Sequence, residues 1–104
     1  MRCEVVRHVV MWRLKDRDAL TPDSAKWAEL QACVASMRTG IPGLTKIDLG
    51  MDKPRTADST DLILFSEFDS WAALDGYQTH PIHEDFKKLL GPLRTERRVG
   101  DYEL

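Results

Sequence analysis

Three side chains in this sequence combine proton chemistry with apolar surroundings: His83, Tyr77 and His8. An imidazole titrates near neutral pH and can take a proton from an acidic carbon. His83 lies one turn into a helix that His80-Pro81 predicts, so its ring can point back toward a sheet. Tyr77 carries a phenol that can donate to a substrate oxygen. Together they suit proton abstraction beside a carbonyl, as in aldol-type cyclisation or isomerisation. Plainer roles exist for each. His83 can pack or cap the helix break, and Tyr77 can fill core with its hydroxyl at the rim. His8 stands on an apolar strand face. There it is either a hydrogen-bonded core residue or a pocket wall that orients His83 or binds substrate.

Other chemistries find little support. His80 precedes Pro81 and suits a helix cap. His80, His83 and Glu84 do not form an HExxH spacing, so no metal site is expected. No glycine-rich phosphate loop, serine-nucleophile motif or nucleic-acid stacking motif is present, and no cofactor is expected. Cys3 and Cys33 form neither a disulfide framework nor a zinc spacing, which points to a reduced, cytosolic compartment. Cys33, beside Val34, reads as an inert small hydrophobe. The balance of 15 basic and 17 acidic side chains, net -2, lacks the basic excess of a nucleic-acid binder. No apolar run approaches the ~20 residues that cross a membrane. The opening stretch, with Arg2, Glu4, Arg7 and His8, fits no signal peptide.

The elements that must position these groups follow from periodicity. Residues 4–14 alternate as a strand, with Val6, His8, Val10, Trp12 and Leu14 on one side and Val5, Arg7, Val9, Met11 and Arg13 on the other. Thr21-Pro22-Asp23 predicts a helix start. Trp27, Leu30, Val34, Met37 and Ile41 then form one apolar stripe. Ile41-Pro42-Gly43 ends it. Residues 44–51 alternate as a strand with one wet face, and residues 52–60 form a polar loop. Residues 61–69 make the strongest strand. Ser70 caps a short helix through Trp71, Leu74 and Tyr77. His80-Pro81 starts another, with Phe86, Leu89 and Leu90 buried, and Gly91-Pro92 closes it. Residues 94–102 form a weaker last strand with Val99 and Tyr102.

The order is β-α-β-β-α-β within one domain spanning 1–104, an α+β arrangement of the ferredoxin-like split βαβ type. Helices then cover one face of a four-stranded antiparallel sheet, and the other face should be polar in a monomer. Here Val9, Met11, Ile63 and Phe65 make that second face apolar. Such a patch marks a protein interface, so a homodimer through the sheet face is expected.

Val6-Arg7-His8-Val9-Val10, the turn Ile41-Pro42-Gly43, Leu64 to Phe68 with Asp69-Ser70, the stretch Gly76-Tyr77-Gln78-Thr79-His80-Pro81-Ile82-His83, and Asp101-Tyr102 together resemble the stress-responsive dimeric α/β-barrel (Dabb) family. The similarity covers nearly the whole chain, and Asp16 to Ser24 match least. The resemblance implies a dimeric α/β barrel with sheets face to face, and a pocket between sheet and helices in each subunit. One plant branch of the family cyclises polyketides by acid–base catalysis without a cofactor. Its histidine and tyrosine fall on His83 and Tyr77, and its first-strand histidine on His8. The matching pocket wall comprises Val10, Trp12, Leu30, Val34, Leu64, Phe86 and Val99. Two departures mark this chain. Its first helix lacks the aromatic pair of the plant pocket while Trp12 is larger than its counterpart, and Arg97 stands where an apolar side chain would sit. Arg97 in a pocket favours a carboxylate or another anion; turned outward, it belongs to a solvated edge.

Three functions remain open. One is a cofactor-independent lyase, cyclase or isomerase acting on a small carbonyl compound. Another is a non-catalytic dimer that binds a small apolar or anionic ligand in a stress response. The third, by fold analogy, is a cofactor-free monooxygenase.

Overall fold

The computed structural model describes residues 4–104; Cys3 lies outside them. The expected β-α-β-β-α-β order is present, with the second helix in two pieces. The elements are β1 (Val6–Leu14), α1 (Ala25–Gly40), β2 (Leu44–Met51), β3 (Leu62–Phe68), α2 (Trp71–Gln78), α3 (Pro81–Leu90) and β4 (Arg94–Glu103), with a single 3₁₀ turn at Gly91–Leu93. The strands form one antiparallel sheet in the order β2-β3-β1-β4.

Alternation sets the two faces of this sheet. In β1 and β3, Val6, Val10, Trp12, Leu14, Leu62, Leu64 and Phe68 are buried toward the helices. They meet Leu30, Val34 and Met37 of α1 in a single core. The first helix starts later than Thr21-Pro22 suggests. Ser24 is the cap, its Oγ accepting from the Trp27 N–H at 3.2 Å and donating to the Thr21 carbonyl at 3.0 Å. Gly43, at φ 78, makes the tight turn out of α1. A side chain there would press on Ala73 of α2 and the Asp69 carboxylate.

One expectation fails. The sheet does not close into an α/β barrel: β2 and β4 are its two edges, and the four strands stay open with helices on one face. Four strands enclose no interior of their own; closed barrels with a filled centre need about eight. The helix layer also stops short of β4, every residue of which is exposed. That uncovered margin matters, because a cleft opens between α3 and β4.

Candidate functional site

The site begins with a break in a helix. In one continuous helix, residues six apart would lie ~9 Å along the axis and ~120° around it, so Tyr77 and His83 could not meet. Here α2 ends at Gln78, and α3 restarts at Pro81 with His80 as its cap. The His80 Nδ1 accepts from the Ile82 N–H at 3.2 Å. Pro81 occupies the first helical position, where its missing N–H is harmless. His83, Phe86 and Leu90 then fall on one buried stripe of α3. As a result the Tyr77 and His83 rings stack, with centroids 3.9 Å apart and planes at 22°.

His8 enters from the centre of β1. Its ring meets Tyr77 edge-on at 5.6 Å, and its Nδ1 lies 2.5 Å from Asp101 Oδ1 on β4. Strand register explains the second contact, because His8 pairs with Asp101 and paired residues share a face. The Asp101 carboxylate therefore fixes the rotation of an imidazole that is 1% exposed.

These groups border a cleft of about 370 Å³. His8, Tyr77, His83, Val10, Trp12, Leu64, Phe86 and Arg97, all singled out by sequence, line it. Gln78, Lys87, Leu90, Gly91 and Arg94 complete the wall. The other three anticipated wall residues lie elsewhere. Leu30 and Val34 are wholly buried in the core beneath α1, and Val99 stands half-exposed on β4. The large Trp12 packs on Phe86, ring centroids 5.9 Å apart, and forms floor rather than open space.

Two polar atoms in this wall, the Tyr77 hydroxyl and His83 Nδ1, are buried without a hydrogen-bond partner among the described residues. Buried polar groups are normally paired, so such atoms mark places where a ligand or water completes the set. Burial holds the His83 imidazole neutral, pulling its pKa down to about 4, and the Lys87 ammonium adds to the effect. The backbone of Gln78 and Tyr77 opposes the shift, and nearby His8 adds slightly to it. Burial also raises the Tyr77 phenol above its ordinary range, with Arg97 opposing, so the hydroxyl keeps its proton. A neutral imidazole can accept a proton while the adjacent phenol donates a hydrogen bond. No group of three or more His, Cys, Asp or Glu that could hold a metal ion occurs among the described residues.

Asp101, Lys87 and Arg94 carry no motif that picks them out as site residues. Asp101 could have been found only through the β1–β4 register, which pairs it with His8. Lys87 lies one turn beyond His83, a spacing that brings it to the same wall.

Comparison with known proteins gives this geometry a context. The model of the stress-responsive A/B barrel domain matches residues 6–104. A dimeric protein of unknown function with a ferredoxin-like fold, from Bacteroides fragilis, is 25% identical over 96% of each chain, with a TM-score of 0.77. A dimeric ferredoxin-like protein of unknown function from Thermobifida fusca is 22% identical, covering 100% of this chain and 94% of its own, with a TM-score of 0.80. Hydroxynitrile lyase from Passiflora edulis is 23% identical, covering 96% of this chain and 93% of its own, with a TM-score of 0.74. No curated protein matches the chain. The fold thus occurs both in dimers of unknown function and in an enzyme. No helix among the described residues is long and apolar enough to cross a membrane.

Proposed function

Because this chain belongs to the stress-responsive A/B barrel domain family, we propose that residues 1–104 act as one domain of a homodimer, each protomer working on a small carbonyl compound in its cleft. The chemistry is cofactor-independent proton transfer of the kind used by a lyase, cyclase or isomerase. His83 is the base and Tyr77 the hydrogen-bond donor to the substrate oxygen. His8 is a wall group oriented by Asp101. Val10, Trp12, Leu64 and Phe86 supply the apolar surface.

One observation carries this reading: two buried, unpartnered polar atoms, the Tyr77 hydroxyl and His83 Nδ1, border the same cleft. A base must be unprotonated to act, and burial keeps His83 so across the neutral range. The phenol retains its proton and can donate to an oxygen that gains charge as the carbon acid ionises. The dimer contact is the helix-free sheet face, where Val9, Ile63 and Phe65 are half-buried and Met11 is exposed. Their apolar character and the dimeric state of the two bacterial relatives support it.

The stacked rings favour a second reading, a non-catalytic dimer that binds a small ligand. A ring lying flat on its neighbour is also what packing alone produces. Turnover of a panel of small carbonyl compounds by native, His83→Ala and Tyr77→Phe proteins decides between them. A positioned base is worth about 10²- to 10⁴-fold. A substrate turned over equally by folded His83→Ala and native protein rejects the catalytic reading.

A further inference from the structure

We propose that the β4 side of the cleft is an anion subsite, in which Arg94 and Arg97 hold the carboxylate of a small ligand whose apolar body rests on Val10, Trp12 and Phe86. The proposal rests on the cleft being the ligand site, not on proton transfer at His83.

The arrangement depends on an irregularity in β4. Residues 94 and 97 are three apart, so a regular strand would send them to opposite faces. Instead Arg97 pairs with Trp12 and Glu96 with Arg13, but Arg94 pairs with Leu14, which leaves Thr95 as an extra residue. This bulge resets the alternation. Arg94 and Arg97 therefore share the face of Leu14 and Trp12, the helix side, and both line the cleft. Bulges commonly re-aim a side chain in this way beside a site. Arg98, without such help, falls on the opposite face opposite Met11.

The charges at the cleft are unbalanced. Its wall contains Lys87, Arg94 and Arg97 but no aspartate or glutamate. Lys87 is engaged already, its Nζ 3.0 Å from both Glu84 Oε1 and the Gln78 carbonyl oxygen. Neither the Arg94 nor the Arg97 guanidinium has an ion-pair or hydrogen-bond partner among the described residues. Two unspent guanidinium groups beside an apolar floor suit a planar carboxylate, which each can grip with parallel N–H donors. The buried, unpartnered Tyr77 hydroxyl and His83 Nδ1 independently point to a ligand in the same space. At about 370 Å³ the cleft is near the lower end of ligand pockets, which limits the body to about one ring or a branched chain.

A bound carboxylate also alters His83. The ring has Lys87 and Glu84 on its own helix, Tyr77 on α2 and His8 on β1 as its electrostatic neighbours, and it shares the cleft with the two arginines on β4. An added negative charge among these groups favours the imidazolium and lifts the depressed pKa toward the range where a base works at neutral pH.

The probes are phenylacetate and its neutral analogue phenylacetamide, titrated calorimetrically, with the His83 imidazole followed by NMR. Native protein is expected to bind the acid about tenfold or more tightly than the amide, the value of a charge-assisted hydrogen bond. Arg94→Gln and Arg97→Gln each weaken the acid several-fold and the amide less, and the double variant removes the preference. Arg98→Gln changes neither. Acid, not amide, raises the His83 pKa. Equal binding of acid and amide, acid binding that survives the double variant, or no binding of either probe overturns the proposal. The catalytic reading fails separately, through substrate turnover that does not need His83 while acid binding stays intact.

Discussion

Acidification below pH 6.5 should destabilise this protein through His83. The imidazole has a folded pKa of about 4 and an ordinary unfolded value of 6.5. Between those values the unfolded chain holds a proton that the folded chain does not. Stability is therefore fully present above pH 6.5, falls as the pH drops toward 4, and loses nothing more from this group below that. The full interval corresponds to about 3 kcal/mol, and about 2 kcal/mol is gone by pH 5. One wall of the cleft is open to water, so a loss on the order of 1–2 kcal/mol at pH 5 is the expected figure.

The assay is urea unfolding at pH 7 and pH 5 for native protein and His83→Leu, with the imidazole titrated by NMR in the native fold. The native protein should lose more stability than the variant by that amount. Lys87→Gln removes the second cause of the shift and should move the His83 pKa upward. A folded-state imidazole that titrates at or above 6.5 refutes the reasoning. So does an equal acid loss in native and His83→Leu. If His83→Leu fails to fold, the NMR midpoint alone decides.

Three further outcomes follow from the packing. Asp101→Asn weakens the partner of a buried imidazole and should cost about 1–3 kcal/mol by urea unfolding, with the His8 ring resonances shifted. Gly43→Ala forces a Cβ onto a backbone at φ 78 and against Asp69 Oδ1 at 2.8 Å, and should lower stability by at least about 2 kcal/mol in the same assay. Val9→Asp with Phe65→Asp should convert the dimer to monomer or unfolded chain; light scattering showing a native monomer would remove the proposed interface.

Strand and helix order was legible because most elements carry a clean period; β4, exposed along its whole length, does not. The alternation through Val6, His8 and Val10 names the buried face of β1, and the Trp27, Leu30, Val34 stripe names that of α1. The break at His80-Pro81 was legible too, since proline fixes a helix start. The exact cap of α1 was not: Thr21-Pro22-Asp23 points to a start three residues earlier than Ser24, whose Oγ accepts from the Trp27 N–H. Barrel closure was expected from family resemblance rather than from any residue pattern, and the open edges at β2 and β4 correct it.

Two departures from regularity build the cleft, and they differ in visibility. The α2–α3 break stacks Tyr77 on His83, and Pro81 announces it. The β4 bulge turns Arg94 and Arg97 to the same side, and nothing in Arg94-Thr95-Glu96-Arg97 announces that. An extra residue in an edge strand is fixed by its pairing with β1, a long-range fact. Alternation alone puts Arg94 and Arg97 on opposite faces. Once the register is known, the same four residues present two guanidinium groups toward an apolar floor, neither with an ion-pair partner among the described residues. Deleting Thr95 removes the bulge but leaves Arg94 opposite Leu14, now two residues from Arg97, so regular alternation keeps both guanidinium groups on the helix side. Phenylacetate affinity in that variant should therefore stay near that of the native protein, provided circular dichroism and light scattering show the native fold. Affinity that falls to the level of Arg94→Gln would mean that a shared face alone does not aim Arg94 at the ligand.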